Sequence, residues 1–398
     1  MAKSKHDSRN SEARREQRRR RRRRFWIRCG IFVAVLALVI TSVIYWDAIA
    51  PDVLMGKISS LFTGSSGGFP VNVAGIQMYQ MESADGCTVL LSDTYVTMLN
   101  SNGSEVMRRS HAFASPQLRT AGKYILVAET GGKRLHLETR AKTVYTMSVN
   151  YDILVTAVHK NGNFAVVTAA EQGYNATLSV YSSSGKLLYQ RLCSNLVADI
   201  AFSPNGRDIA MVTVGAVGGA TCSSVEVVSL NSDQSETKYT HSGTDILLCR
   251  VQYLSDSLIA AVGDTAVWMY QPKKEKCATY AVADGDLTAF AIGDDGVLAV
   301  TKPYGSTTGA NVAYIRSNGA AAFTAAVDGA CRDVAVSGNR YSVLTDSHLY
   351  QIGNKGIIGS MLMQDTGKLV SMQGSRVAVL GLQDITQYSA PTHLNENS

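Results

Sequence analysis

Three charged residues stand out as groups that could recognise a ligand: Asp199, Arg250 and Asp333. Each sits inside a short apolar run, where a charge is costly unless it is paired or functional. When the recurring turns of the chain are superimposed, the three fall at one equivalent position, occupied elsewhere by Val155 or Ala289. Two carboxylates and a guanidinium in such a row can hold a polar or charged partner, or can neutralise one another. The remaining reactive residue types do not converge. Seven histidines are scattered, and seven cysteines include no C-x-x-C pair of the kind that holds zinc. Cys87, Cys193, Cys222, Cys249, Cys277 and Cys331 follow the apolar segment, and several lie within apolar runs, which reads as buried free thiols. Six such cysteines allow fifteen full pairings, and the sequence selects none. Asp284-Gly285-Asp286 and Asp294-Asp295-Gly296 read as turns, since neither has the length or ligand alternation of a calcium loop. No catalytic residue, cofactor site or metal site is assigned.

The elements that must position Asp199, Arg250 and Asp333 are short strands. From residue 69 onward there is no long helical periodicity. Runs of Val, Ile, Ala, Leu, Tyr and Thr alternate with Gly, Asn, Asp and Ser, the pattern of an all-β chain. One phrase, a turn followed by an apolar strand, begins at Gly86, Gly122, Gly162, Gly206, Ser257, Gly296, Asn339 and Ser375, at intervals of 36 to 51 residues. A repeat of about 40 residues with four strands per repeat indicates a β-propeller. One blade is legible throughout: strands at 153–158, 164–169, 177–181 and 187–192, with Asn161-Gly162 as the first hairpin turn. The expected fold is therefore all-β, a β-propeller of about eight (alternatively seven) four-stranded blades over residues 69–389. The last repeat supplies only about three strands, so the ring is expected to close by borrowing a strand from 69–74. Residues 390–398 read as a loose polar tail.

Ahead of the propeller, residues 29–46 carry no charge, and 18 helical residues span about 27 Å, close to a bilayer's hydrocarbon thickness. We read 25–46 as a transmembrane helix preceding the propeller. Trp26 marks one membrane interface, Tyr45 and Trp46 mark the other, and Arg28 snorkels to the headgroups. Signal-peptide cleavage after Ala48-Ile49-Ala50 is disfavoured by Pro51 and by the length of the apolar run. Residues 1–24 form a basic tail, expected to be disordered and cytoplasmic by the positive-inside rule, with anionic lipid as its expected partner. Residues 47–68 read as a flexible linker. The first 28 residues hold 13 Lys or Arg and 3 acids, so the net charge of +6 becomes −4 for the remainder, which gives no argument for nucleic acid.

Val197-Ala-Asp-Ile-Ala-Phe-Ser-Pro-Asn-Gly206 resembles the strand–turn–strand phrase of WD40-like propellers. The whole layout is similar to a family of bacterial single-pass membrane proteins of unknown function with a WD40-like or quinoprotein-like β-propeller ectodomain. Quinoprotein propellers use repeated tryptophans, and this domain has only Trp268, which reads as a packed strand residue, so no cofactor is implied. The resemblance implies no activity; the basic tail and the single span place the propeller outside the plasma membrane. A tethered ring with broad loop surfaces is expected to be a binding scaffold or sensor for an envelope protein, peptide or glycan, with Asp199, Arg250 and Asp333 lining the channel. The alternative is a propeller enzyme, a hydrolase or lyase, with clustered carboxylates or histidines in the central funnel. A single span argues against solute transport.

Overall fold

Eight antiparallel four-stranded sheets follow one another along the chain in the computed structural model. It describes residues 68–170, 173–230, 237–282, 285–306 and 308–392. The basic tail, the apolar segment with Trp26, Arg28, Tyr45 and Trp46, nearly all of the linker, and residues 393–398 lie outside the described residues. Among the described residues no helix is long and apolar enough to cross a membrane.

Blades 1 to 7 comprise residues 78–110, 116–148, 153–193, 196–244, 248–281, 285–327 and 331–362. In each the four strands pair in chain order, from the inner strand outward. Blade 8 has Leu369–Gln373, Arg376–Leu380 and Asp384–Ser389, and its fourth strand is Val71–Asn72 from the start of the domain. Val71 pairs with Ile385 and Asn72 with Asp384, so the ring has eight blades and closes with the borrowed strand. The 51-residue interval marks blade 4, whose second and third strands, Asp208–Val217 and Ala220–Ser229, are each ten residues long.

Why the second strand of each blade was so legible follows from where the core lies. There is no single centre. Eight apolar clusters each fill the space between two consecutive blades. Side chains alternate across a strand, so Phe164 and Val166 pack toward blade 2 while Ala165 and Val167 pack toward blade 4. With both faces covered, the strand becomes a continuous apolar run. Trp268 is buried in the cluster between blades 4 and 5, edge-on to His241 at 4.8 Å. The six described cysteines are free thiols: Cys87 and Cys193 are buried, and only Cys249 is exposed. Burial pushes Cys277 up to about 11 and Cys331 up to about 12. Gly162 takes the left-handed conformation (φ 90°) that the Asn161-Gly162 turn requires.

Antiparallel order also fixes two end faces. One, here the link face, gathers the blade-to-blade links and the hairpins between second and third strands. The other, the hairpin face, gathers the first and last hairpin of every blade.

Candidate functional site

Six inner strands carry a β-bulge near their start, at Met78/Gln80, Ile153/Val155, Val197/Asp199, Leu248/Arg250, Leu287/Ala289 and Cys331/Asp333. A bulge re-aims the side chain that follows it. Asp199, Arg250 and Asp333 therefore do share one structural position with Val155 and Ala289. Gln80 is a further polar member that the sequence reading missed.

Three of these side chains bind the next blade. Asp199 Oδ2 accepts the backbone N–H of Val251 at 2.9 Å, and Asp333 Oδ2 accepts that of Val370 at 2.8 Å. Gln80 Oε1 accepts that of Leu118 at 2.7 Å. Each donor lies on the inner strand of the following blade, so the three bonds tie blades 1 to 2, 4 to 5 and 7 to 8. A hydrogen bond from a buried N–H to a carboxylate stabilises by about 1.5–3 kcal/mol.

Around Asp199 the charges alternate. Arg119 of blade 2 reaches past blade 3, donating Nε–H to the Thr156 carbonyl at 3.2 Å and bringing its terminal nitrogen within 3.3 Å of Asp199 Oδ1. Arg250 Nε lies 3.7 Å from Asp199 Oδ2. Glu82 of blade 1 accepts the Thr120 hydroxyl at 2.9 Å. Burial pushes the Glu82 carboxyl up, opposed by the Thr120 hydrogen bond and by the fields of Arg119 and Arg250. Burial likewise lowers Arg119 from its ordinary value. Side-chain exposure separates the members: 4% for Asp199, 16% for Arg119, 34% for Arg250. Beside them, a cavity of about 340 Å³ is lined by Arg119, Asp199, Arg250, Gln252, His159 and Pro204, opening between the inner strands of blades 2 to 5. Its open groups, the Arg250 guanidinium and Gln252, can hydrogen-bond a polar ligand. Among the described residues no three His, Cys, Asp or Glu side chains come together as a metal site.

Asp333 stands apart on blade 7, with the N–H groups of Val370 and Val334 as partners. Burial pushes its carboxyl up to about 6. Because this value is raised above the ordinary 3.8, the folded chain holds the proton more tightly than the unfolded one. The stability due to the protonated form is complete below about pH 4 and lost as pH rises through about 6. Two units correspond to on the order of 3 kcal/mol. Asp333→Asn keeps an oxygen for Val370 but removes the charge. Urea unfolding from pH 4 to 7 should show this loss in the parent and its absence in the variant. Parallel pH profiles would sink the assignment.

The chain matches the model of a family of unknown function, DUF5711, over residues 73–381. It belongs to that family. No curated protein matches the chain in sequence. Among solved structures it is similar to Sqt1 of Saccharomyces cerevisiae (TM-score 0.58, 8% identity, 81% of this chain and 98% of that one). It is also similar to BamB of Moraxella catarrhalis (0.54, 10%, 83% and 99%). A third likeness is to a chain in the mitotic checkpoint complex (0.50, 10%, 82% and 92%). At these identities the likeness shows the propeller fold, and a family of unknown function with a WD40-like propeller agrees with the expectation from sequence.

The DUF5711 propeller also carries an uneven surface. Fourteen large apolar side chains are exposed among the described residues, and eleven of them lie at the link face. Tyr304 (72%), Leu382 (68%) and Leu362 (64%) are the most open. A groove of about 540 Å³ lies there between blades 2 and 3, lined by Met147, Tyr151, Tyr174, Tyr181, Gln190 and Leu192 among others. These residues were not singled out from sequence, because a Leu or Tyr at a strand end looks the same as one in the core.

Proposed function

We propose that this DUF5711 chain is a membrane-anchored, extracytoplasmic binding scaffold or sensor that holds a protein or peptide partner on its link face. The observation that carries this reading is the gathering of exposed Tyr, Leu and Val side chains at one end of the ring. Scattered apolar residues need no explanation, but a concentration on one face does. The groove between blades 2 and 3 is the natural seat for an apolar anchor of the partner. At this face, among the described residues, ten exposed or half-buried carboxylates, including Asp93, Asp152, Asp245, Asp264, Asp328 and Asp365, stand against five bases. A segment that interleaves Lys or Arg with apolar residues complements it in both respects. One of the similar folds is a chain in the mitotic checkpoint complex, which fits a propeller used as a docking body. The anchor rests on residues 25–46 and the topology on the basic tail. Asp199 and Asp333 serve as ring staples in this reading, with Arg250 left open at the channel mouth.

The test is capture from envelope extract by the unit Thr63–Ser398 and two variants of it. Tyr174→Ser with Leu192→Ser alters the groove, and Leu187→Ser with Leu188→Ser alters the opposite end. A partner retained by the parent and the second variant but lost with the first supports the reading. A partner indifferent to the groove variant overturns it.

A further inference from the structure

The hairpin face has the opposite character to the link face. Among the described residues it carries fourteen Lys or Arg, exposed or half-buried, against seven acids, an excess of seven positive charges. They are distributed over blades 2 to 8. The densest group is Lys273, Lys274 and Lys276 around the short 3-10 turn Pro272–Lys274 of blade 5. Among the described residues only three large apolar side chains are exposed at this end. Leu187 and Leu188 directly follow the exposed Lys186, and Ile358 lies three residues after the exposed Lys355.

A second observation comes from the chain path. Gly103, in the last hairpin of blade 1, has Phe69 and Gly68 so close that an added Cβ would sit 3.1 Å from Phe69. The domain's first described residues therefore enter at the hairpin face.

From these we infer that the hairpin face is a docking surface for an anionic phospholipid bilayer. Lysines and arginines would lie over lipid phosphates, and Leu187, Leu188 and Ile358 would dip into the interface. The orientation follows directly: the acidic, apolar link face points away from the membrane, free for its partner. Nucleic acid would also complement the charge. A single strand, however, needs aromatic platforms, and the exposed large apolar residues at this end include none. This inference extends the anchored-scaffold reading, but the ring's affinity for lipid can be measured without the anchor.

The experiment is co-sedimentation of Thr63–Ser398 with vesicles of phosphatidylcholine alone and of phosphatidylcholine with 30% phosphatidylglycerol, at 50 mM and 500 mM salt. Binding to the anionic vesicles at low salt, lost at high salt, is expected. Each basic residue near an anionic surface contributes about fivefold in partitioning, so the triple variant K273Q/K274Q/K276Q should bind at least tenfold more weakly. Its counterpart on the link face, K133Q/K302Q/K368Q, should stay within twofold of the parent. No binding at low salt, or equal losses in the two triples, would overturn the inference. Tighter binding to a 20-nucleotide single strand, abolished by the hairpin-face triple, would overturn it in favour of nucleic acid. The anchor is tested separately: the full chain should stay with membranes in 1 M salt. Release there would refute the anchor while leaving the lipid surface of the ring standing.

Discussion

Asp199→Ala should destabilise the folded domain by about 3–5 kcal/mol, the cost of removing one partner from a buried ion pair. The substitution leaves the Val251 N–H without its acceptor and leaves Arg119 and Arg250 facing each other across the vacated position. Asp199→Asn keeps an oxygen for Val251 and loses only the charge, so its cost should be smaller, about 1.5–3 kcal/mol. Arg250→Ala, at a more open position with a 3.7 Å pairing, should cost no more than about 1 kcal/mol. Urea unfolding of the three variants orders these costs. A ring held by other means would show Asp199→Ala within about 1 kcal/mol of the parent. If such a variant also lost its partner, Asp199 would belong to ligand binding and not to the ring.

Much of this fold could be read from residues because a propeller repeats its own local physics. Every blade needs one strand buried on both faces, and each such strand announces itself as an apolar run after a turn. The interval of about 40 residues follows from that. The polar position behind the bulge was also readable at Asp199, Arg250 and Asp333, since a charge amid apolar residues is conspicuous. Gln80 escaped because its strand, MYQMESA, is polar enough for an amide to be ordinary. Arg119 and Glu82 escaped for a different reason. Their roles depend on which blades face each other across the channel, and Arg119 bonds to a residue 80 positions away. The division of charge between the two faces was hidden by the topology itself. Each blade visits both faces twice, so bases and acids alternate along the chain and sum to a small net charge.

A chain that begins at residue 78 should fail to form the cooperative ring that a chain beginning at residue 68 forms. The shorter chain lacks Val71–Asn72, so the outer strand of blade 8, Asp384–Ser389, becomes an unpaired edge open to other chains. It also loses the Val73 N–H bond to the Gln383 carbonyl at 2.8 Å. Val73, Val71 and Phe69 leave the cluster that they form with Met81, Leu90, Leu380 and Ile385. At roughly 1.5–3 kcal/mol for each of these three apolar side chains, the loss is up to about 4.5–9 kcal/mol, comparable to the whole stability of an ordinary domain. The expected result is a broad thermal transition and self-association on gel filtration. Addition of a peptide covering residues 68–77 should restore a sharp transition at concentrations above its dissociation constant. Ile385→Ala offers a milder version at about 2–5 kcal/mol. Equal melting of the two chain lengths would refute closure by the borrowed strand.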